Sequence, residues 1–441
     1  MRTLLRHRSF RTLVAGAMAN RLGDAVAPLA LAFAVLDLTG SLTGLGLVVG
    51  ARSLANVLFL LVGGVLADRL PRGLVLTGSN AAAALTQAAA AVTVLTGTAT
   101  VPLLAGLAAV NGALAAIAMP ASSALLPQTV PPTLLRHANA VQRLGTNSAM
   151  ILGASVGGAL VATTGPGWGL MVDAATFCVA TVCFARTRVD APPRSKEAGA
   201  DGEAARPGLL RDLREGWTEF VSRTWVWVVV LGFMVLNAVS AGAIQVLGPA
   251  VADDSFGRAG WGLVLAAQSA GMLAGALLAM RLRVDRLLFL GTVCVAAELL
   301  LPLALATTDS VPVLMAAGFV VGAALTQFGV AWSVSLQQHI PADRLARVYS
   351  YDALGSYVAI PVAEVAVGPV AHAVGVRPTL YGAAVVIAVT TGLMLLSGEV
   401  RRLRQFSDGH GPDGHRAGGG PVGGEIEQVG GKAEQVGERE R

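Results

Sequence analysis

The chain has 441 residues, of which 54% are hydrophobic and 13% are charged, and its mean hydropathy is +0.64. Globular proteins usually carry about 25% charged residues, so this composition excludes an ordinary soluble protein. Apolar runs of about 20 residues, the length needed to cross the hydrocarbon core of a bilayer, recur along most of the chain. The sequence therefore predicts an all-α polytopic membrane protein.

The formal net charge of +5 does not indicate a nucleic-acid partner, because the basic residues are scattered among short turns, as membrane topology requires. The three cysteines lie inside apolar runs and show neither a disulfide framework nor a metal-ligand spacing. The chain also lacks the His-Glu-x-x-His and Gly-x-Ser-x-Gly motifs and nucleotide-binding loops. We therefore expect no metal, no cofactor and no enzymatic activity.

Hydropathy predicts twelve membrane spans in chain order. The first follows an arginine-rich N-terminus and is too long for a cleaved signal peptide, so we read it as a retained span. The predicted spans are 11–36, 42–66, 73–96, 101–120, 138–163, 167–186, 225–250, 259–281, 285–306, 311–335, 348–373 and 377–398.

Basic residues concentrate in alternate turns, among them the turns that carry Arg69, Arg136 and Arg344. The remaining turns are acidic or nearly uncharged. By the positive-inside rule the basic turns are cytoplasmic. We therefore expect both termini in the cytoplasm, which an even number of spans satisfies.

The hydrophobic pattern divides the chain into four parts. We predict an N-terminal six-helix bundle over 1–186, a cytoplasmic central loop over 187–222, a C-terminal six-helix bundle over 223–400 and a disordered tail over 401–441. The central loop begins polar and rich in proline and glycine. Its second part, 209–221, has an apolar face and predicts an amphipathic helix at the inner membrane surface.

An internal repeat relates the two bundles. Residues 128–145 align without gaps to residues 338–355, at an offset of 210, and both copies lie between the fourth and fifth spans of their half. Two pseudo-symmetric six-helix halves place a substrate site near the bilayer midplane, between the halves. The repeat therefore predicts a carrier in which one half rocks against the other.

Carboxylates inside predicted spans are functional candidates, because an ionisable group there is costly unless it is paired or hydrated. Asp24, Glu364, Glu298 and Asp173 are accordingly the proton-coupling candidates. Alternatives remain open: Arg21 lies three residues before Asp24 and is able to neutralise it, Asp173 lies nearer the outer interface, and Glu298 is able to reach the surface.

Other polar residues within spans are candidates for lining a cavity or contacting substrate. Some of them instead join helices by hydrogen bonds, an ordinary packing role, and Arg52 is equally a structural residue paired with Asp24 or Asp173. The candidates are Arg21, Arg52, Asn56, Asn111, Asn237, Gln245 and Gln268.

A short charged turn separates the second and third predicted spans. Residues 63–73 read Gly-Gly-Val-Leu-Ala-Asp-Arg-Leu-Pro-Arg-Gly. This turn resembles the loop signature Gly-x-Leu-Ala-Asp-Arg-x-Gly-Arg-Arg of the major facilitator superfamily, from which Pro71 and Gly73 depart. The resemblance implies that Asp68, Arg69 and Arg72 hold a cytoplasmic gate. We add to this gate the charged residues of the corresponding turns, Arg136, Arg344, Arg347 and Asp352.

Within that superfamily, residues 10–11, 38–41, 120–122 and 137–140 resemble the exporters that include macrolide-efflux proteins and the enterobactin exporter. The antiporter pattern is incomplete, since Ala108 stands where an arginine is expected and Gly158 where a proline is expected. The resemblance implies a major facilitator fold and proton-driven export of small amphipathic compounds, such as a drug, antibiotic or siderophore. Uptake or facilitated diffusion of a small solute is the alternative. We expect a monomer in the bacterial inner membrane.

Overall fold

The computed structural model describes residues 7–69, 71–187, 217–218, 220–282 and 284–404. It does not describe the side chains at 61–69, 72, 120, 123, 124, 132, 136, 342, 343 and 346. Within the described ranges the chain forms helices joined by turns, and no strand. These helices account for the apolar runs of the sequence, because a helix satisfies its own backbone hydrogen bonds inside a bilayer.

The N-terminal half contains six long helices. They are α1 Arg8–Thr39, α2 Leu42–Arg69, α3 Arg72–Leu95, α4 Val101–Leu125, α5 Leu135–Thr164 and α6 Pro166–Ala185. We call the membrane face at which α1 begins the terminal face, and the other the opposite face. The turns α1–α2, α3–α4 and α5–α6 therefore lie at the opposite face.

The C-terminal half continues this arrangement. Its helices are α7 Thr224–Asp254, α8 Arg258–Ala279, α9 Leu287–Thr307, α10 Val311–His339, α11 in the two segments Ala342–Tyr357 and Ile360–Val374, α12 Val376–Leu396 and the short α13 Gly398–Arg402. Eleven of the described helices are long and apolar enough to cross a membrane; α3, with 24 residues, is long enough but is not among these eleven. The predicted spans are confirmed to within a few residues at most ends.

Three helices of the C-terminal half are interrupted. Helix α7 contains a π-helical segment, Gly242–Leu247, and α9 contains a 3-10 segment, Ala296–Leu299. Helix α11 breaks at residues 358–359, just before Pro361, which has no N–H for the helical bond to Tyr357. The predicted span over 348–373 is confirmed as the membrane-crossing segment Arg347–Val374, with this interruption inside it.

Turns at the opposite face are unusually short and use glycine. Gly165 and Gly375 connect α5 to α6 and α11 to α12, with φ angles of 90° and 97°. Only glycine adopts such angles readily. These two residues are 210 positions apart, so the chain reversal at the opposite face repeats with the same offset as the internal sequence repeat.

The two halves meet along two seams toward the opposite face. Helix α2 packs against the second segment of α11, and α5 packs against α8. In the first seam, the backbone at Gly46 and Gly50 lies against the α11 backbone around Glu364 and Pro361. Small residues permit this close approach.

Only the end of the predicted amphipathic helix lies within the described residues. Residues 217–218 and 220–222 are helical, and Trp217 stacks on Phe220 with a centroid distance of 5.7 Å. Both rings contact Tyr351 in the first segment of α11. The rest of the predicted central loop, and residues 405–441 of the predicted tail, lie outside the described residues.

Candidate functional site

The main cavity lies inside the N-terminal half and has a volume of about 650 Å³. It extends toward the terminal face, where Leu126, Asn139 and Arg143 border it. Apolar side chains such as Met150 and Phe177 form much of its wall. Its polar lining comprises Asn20, Arg21, Asp24, Arg52, Asn56, Ser79, Asn80, Asn111, Ser122, Asn139, Gln142, Arg143 and Thr146.

A second, smaller cavity of about 180 Å³ lies between the two halves. Helices α7 and α8 contribute Gln245, Gln268 and Trp261, and α1 contributes Pro28 and Asp24. Gln245 belongs to the π-helical segment of α7, and such segments occur frequently at functional sites. Asp24 lines both cavities, so a single carboxylate connects them.

Asp24 and Arg21 form the ion pair that their spacing predicted. The Arg21 Nη1 atom lies 3.6 Å from Asp24 Oδ2, and the side chains keep 54% and 35% of their surface exposed. The pair therefore faces the cavity and is not sealed within the helix bundle. Its electrostatic neutralisation is partial, because open solvent screens it.

Arg52 of α2 lies at the electrostatic centre of the site. It lies within electrostatic range of Asp24 and Asp173 in its own half and of Glu364 of α11 in the other half. It forms no close ion pair with any described carboxylate. Three acids on three helices, including both partners proposed from the sequence, therefore surround its charge at a distance.

Asp173 of α6 is 1% exposed, so it is enclosed among the helices, while its predicted position nearer the outer interface stays a prediction. The Gln87 side chain of α3 donates a hydrogen bond to its Oδ2 atom, and the Thr176 hydroxyl lies 3.5 Å from Oδ1. Helices α3 and α6 pack along their length, which brings these polar groups together inside an apolar bundle.

Glu364 is completely buried in the seam between α2 and α11. The Ser53 side chain of α2 approaches its carboxyl group, but neither carboxyl oxygen forms a hydrogen bond of good geometry with the described residues. A carboxyl group buried in this position, with no close counter-ion among the described residues, is costly to charge while the seam is closed.

Glu298 is 5% exposed within the 3-10 segment of α9, so it does not reach the surface as the sequence suggested. Its Oε2 atom accepts a hydrogen bond of 3.0 Å from the Ser240 hydroxyl of α7. Ser240 lies directly before the π-helical segment. The bond therefore connects the two interrupted helices at adjacent irregularities.

Two further candidates join helices. Asn237 of α7 donates a 3.1 Å hydrogen bond to the backbone carbonyl of Ser356 in α11. Asp352 accepts hydrogen bonds from Trp332 Nε1 at 2.9 Å and from the Ser356 hydroxyl at 3.3 Å. These bonds favour the helix-joining role for Asn237, and they hold Asp352 within its own half.

The side chains of Asp68, Arg69, Arg72 and Arg136, four of the predicted gate residues, lie outside the part of the chain that the structure describes. Arg344 and Arg347 are at the start of α11, where Arg344 is exposed. This places both at the terminal face. Their predicted role in gating stays a prediction.

Several cavity residues were missed by the sequence interpretation. Arg143 lies inside the fifth predicted span and borders the main cavity. The search for ionisable residues within spans could therefore have identified it. Asn80 is 1% exposed and its Oδ1 atom has no hydrogen-bond partner among the described residues, as is also true of Asn111 Nδ2. No group of side chains suited to a metal occurs in the described ranges.

The family model of the Major Facilitator Superfamily matches residues 13–257 of the chain. The chain belongs to this superfamily. It is therefore a transporter and not an enzyme. The match covers more than half of the sequence and includes the predicted loop signature.

Curated relatives match this chain over most of its length and most of their own. The chain is 27% identical to the multidrug efflux pump Tap of Mycolicibacterium fortuitum over 392 residues, which cover 84% of this chain and 90% of that protein. It is 28% identical to Tap of Mycobacterium tuberculosis strain H37Rv over 401 residues, or 88% and 91% of the two chains. Together with the apolar helices, these relatives indicate a multi-pass protein of the bacterial inner membrane.

Solved structures of other superfamily members share the fold. A D323A mutant of the nucleoside transporter NupG aligns with a TM-score of 0.72 at 13% identity, covering 88% of this chain and all of NupG. A D-xylose-proton symporter aligns with a TM-score of 0.65 at 13% identity, covering 87% and 96%. Identities this low establish the fold alone, which is the predicted arrangement of twelve helices in two pseudo-symmetric halves.

Proposed function

We propose that this protein exports small amphipathic organic compounds from the cytoplasm by alternating access, driven by the entry of protons. The observation that carries the proposal is the position of Asp24, whose carboxylate lines both the main cavity and the cavity between the halves. Substrate and proton would therefore meet at one group. The multidrug efflux activity named for the Tap relatives supports the direction of transport.

The terminal face is cytoplasmic in this proposal, because the turns there carry most of the arginines. The main cavity then opens to the cytoplasm, while the seams α2–α11 and α5–α8 close the extracellular face. Substrate enters from the cytoplasm and packs against side chains such as Met150 and Phe177. The neighbouring asparagines, including Asn80 and Asn111, offer unpartnered groups for its polar atoms.

Rocking of the halves then opens both seams to the outside and exposes Glu364 and Asp24 to extracellular protons. Protonation removes the charges that Arg52 stabilises, and the substrate leaves. When the seams close again, Glu364 keeps its proton and is enclosed without a buried charge, whereas Asp24 regains access to the cytoplasm and releases its proton there. Arg52 connects the carboxyl groups of the two halves throughout this cycle.

The cytoplasmic gate closes during the outward-open phase, when Asp68, Arg69 and Arg72 would approach the terminal-face end of the other half. We further propose that a single chain performs the cycle and that the proton gradient is its only energy source. Both termini are cytoplasmic in this arrangement.

The test is transport by purified protein in proteoliposomes with an acidic lumen. The dye should carry a permanent charge, such as ethidium, because a weak base would accumulate in an acidic lumen without any protein. Molecules oriented with the cytoplasmic face outward should pump the dye into the lumen, and collapse of the pH gradient should stop them. Transport unaffected by the gradient would instead support facilitated diffusion.

The variant Asp24→Asn should abolish gradient-driven transport while the protein remains folded. Asp254→Asn is the matched control, since Asp254 is the exposed last residue of α7 and lines neither cavity. Equal transport rates for both variants would remove Asp24 from the mechanism.

A further inference from the structure

Arg258 joins the two halves at the opposite face. It is the first residue of α8, and its guanidinium group donates two hydrogen bonds to Asp37 near the end of α1, one of them with an Nη1–Oδ2 distance of 3.0 Å. The two residues are 221 positions apart and belong to different halves. Bidentate pairs of this kind are the stronger form of the arginine–carboxylate interaction.

The same guanidinium also has a partner in its own half. Arg258 Nε donates to Asp253 Oδ1 at 2.7 Å, and Nη2 lies 3.3 Å from Asp253 Oδ2. On the side of the N-terminal half, the Phe33 ring lies 4.8 Å from Arg258 Cζ, within the range of a cation–π contact. One cation is therefore held by an acid of its own half and, across the seam, by a second acid and an aromatic ring.

We propose that Arg258 is the gating residue of the extracellular face: it binds Asp37 while this face is closed and remains with Asp253 alone when the halves separate. The inference rests on the alternating-access cycle proposed above. It assigns a role in that cycle to three charged residues outside both cavities.

Two features make this contact suitable for repeated opening. Asp253 remains beside the guanidinium, so separation from Asp37 leaves the cation with a counter-ion. The side chains of Arg258 and Asp37 keep 21% and 43% of their surface exposed, so water replaces the broken bonds at modest cost. A fully buried pair would resist separation far more strongly.

The contact also lies on the seam that must open. A methyl group placed on Gly158 of α5 would stand 3.2 Å from the Arg258 backbone carbonyl oxygen. The start of α8 therefore carries both the ion pair and the glycine crossing with α5. Separation of α5 from α8 at this point would draw Arg258 away from Asp37.

The two acids should have opposite effects on the conformational equilibrium. Asp37→Asn weakens only the contact across the seam, so the population of the open state should increase. Asp253→Asn weakens the contact of Arg258 with the acid of its own half. Opening then leaves the guanidinium without a counter-ion, so the population of the closed state should increase. A merely structural cluster would lose stability in both variants without this difference in sign.

The experiment measures the distance between spin labels on the two halves by double electron–electron resonance. Labels replace Thr98 and Asp309, two exposed residues in opposite-face turns of different halves, after substitution of Cys178, Cys183 and Cys294. The protein is studied in nanodiscs without substrate, at a pH where both states are populated. No proton gradient is applied, so failure of the export proposal leaves this test valid.

We expect Asp37→Asn and Arg258→Gln to raise the ratio of open to closed molecules about fivefold, as loss of a partly exposed ion pair predicts. Asp253→Asn should lower this ratio, and Asp254→Asn, the neighbouring control, should leave it unchanged. If Arg258→Gln does not fold, Asp37→Asn and Asp253→Asn decide the question. A ratio for Asp37→Asn equal to that of the control, or a shift of both acids in the same direction, would overturn the proposal.

Discussion

Gly158 of α5 and Gly262 of α8 cross so closely that a methyl group on either one would stand 2.7 Å from the Cα atom of the other. Helices from the two halves thus touch backbone to backbone at the opposite face. The position at which the antiporter pattern expects a proline is occupied by one of these glycines. The departure from the pattern therefore has a structural reason, since any side chain at 158 would hold the seam apart.

The variant Gly158→Val should obstruct closure of this seam, because overpacking of a close contact costs about 1–3 kcal/mol. We expect transport to fall at least tenfold while the amount of folded protein in the membrane stays near normal. Dye efflux from cells, compared with protein level, measures this. Gly106→Val in α4 is the control, since no atom lies within 4 Å of a side chain added there. Equal transport by both variants would contradict the role of the crossing.

The variant Glu364→Gln tests the buried carboxyl group of the α2–α11 seam. Glutamine has nearly the same shape and no charge, so the closed seam should remain intact and its stability should change little. Gradient-driven transport should be lost, whereas exchange of labelled substrate across the membrane without a gradient should persist. Proteoliposome assays of both activities measure this, and retention of gradient-driven transport would exclude Glu364 as a coupling site.

The variant Gln87→Leu should destabilise the N-terminal half by about 1.5–3 kcal/mol, the usual contribution of a hydrogen bond to a charged or strongly polar partner. The reason is that Asp173 would lose the donor that Gln87 provides while remaining buried. Unfolding in mixed detergent micelles measures the effect. Adding Asp173→Leu should recover part of the loss, because no unpaired polar group then remains. If the two substitutions are strictly additive, the side chains do not depend on each other.

The variant Trp332→Phe should separate a helix-joining role of Asp352 from a role in gating. It removes the Nε1–H donor to Asp352 but keeps most of the aromatic packing against Trp225. We expect a loss of about 1–3 kcal/mol in unfolding free energy, with a normal transport rate for the protein that remains folded. Trp168→Phe, at a residue that is 51% exposed, is the control. A lower rate per folded molecule would instead support the predicted gate.

Hydropathy and charge sufficed to predict the spans, because each span must by itself be apolar enough to cross the bilayer. This requirement leaves a local signal in the sequence. The repeat at 128–145 and 338–355 then led to the two halves. Local patterns do not reveal contacts between distant residues, and Arg258 with Asp37 is the clearest case. The burial of Asp173 and Glu298 was not predicted either, because position along a span says nothing about which face of the helix is buried.

The irregular segments of the helices were not predicted from the sequence either. Pro361 marks the break in α11, although a proline near the start of a helix is compatible with an unbroken span as well. The π-helical segment Gly242–Leu247 contains no proline and carries no such marker. Among the cavity residues, Arg143 was predictable in principle, whereas the convergence of Asp24, Asp173 and Glu364 on Arg52 depends on the packing of four helices.

The interrupted helices make the two halves unequal as mechanical bodies. In the described part of the chain, α7, α9 and α11 each change hydrogen-bonding pattern partway across, whereas the 3-10 segments of the N-terminal half, Leu126–Gln128 and Pro132–Leu134, lie only at the terminal-face ends of α4 and α5. Weakened backbone bonding lowers bending stiffness locally. The N-terminal half then behaves as a stiff frame that carries the cavity, and the C-terminal half is the compliant body that flexes around it. Backbone amides at 242–247, 296–299 and 358–360 should accordingly exchange with deuterium before those at the same depth in α1 to α6.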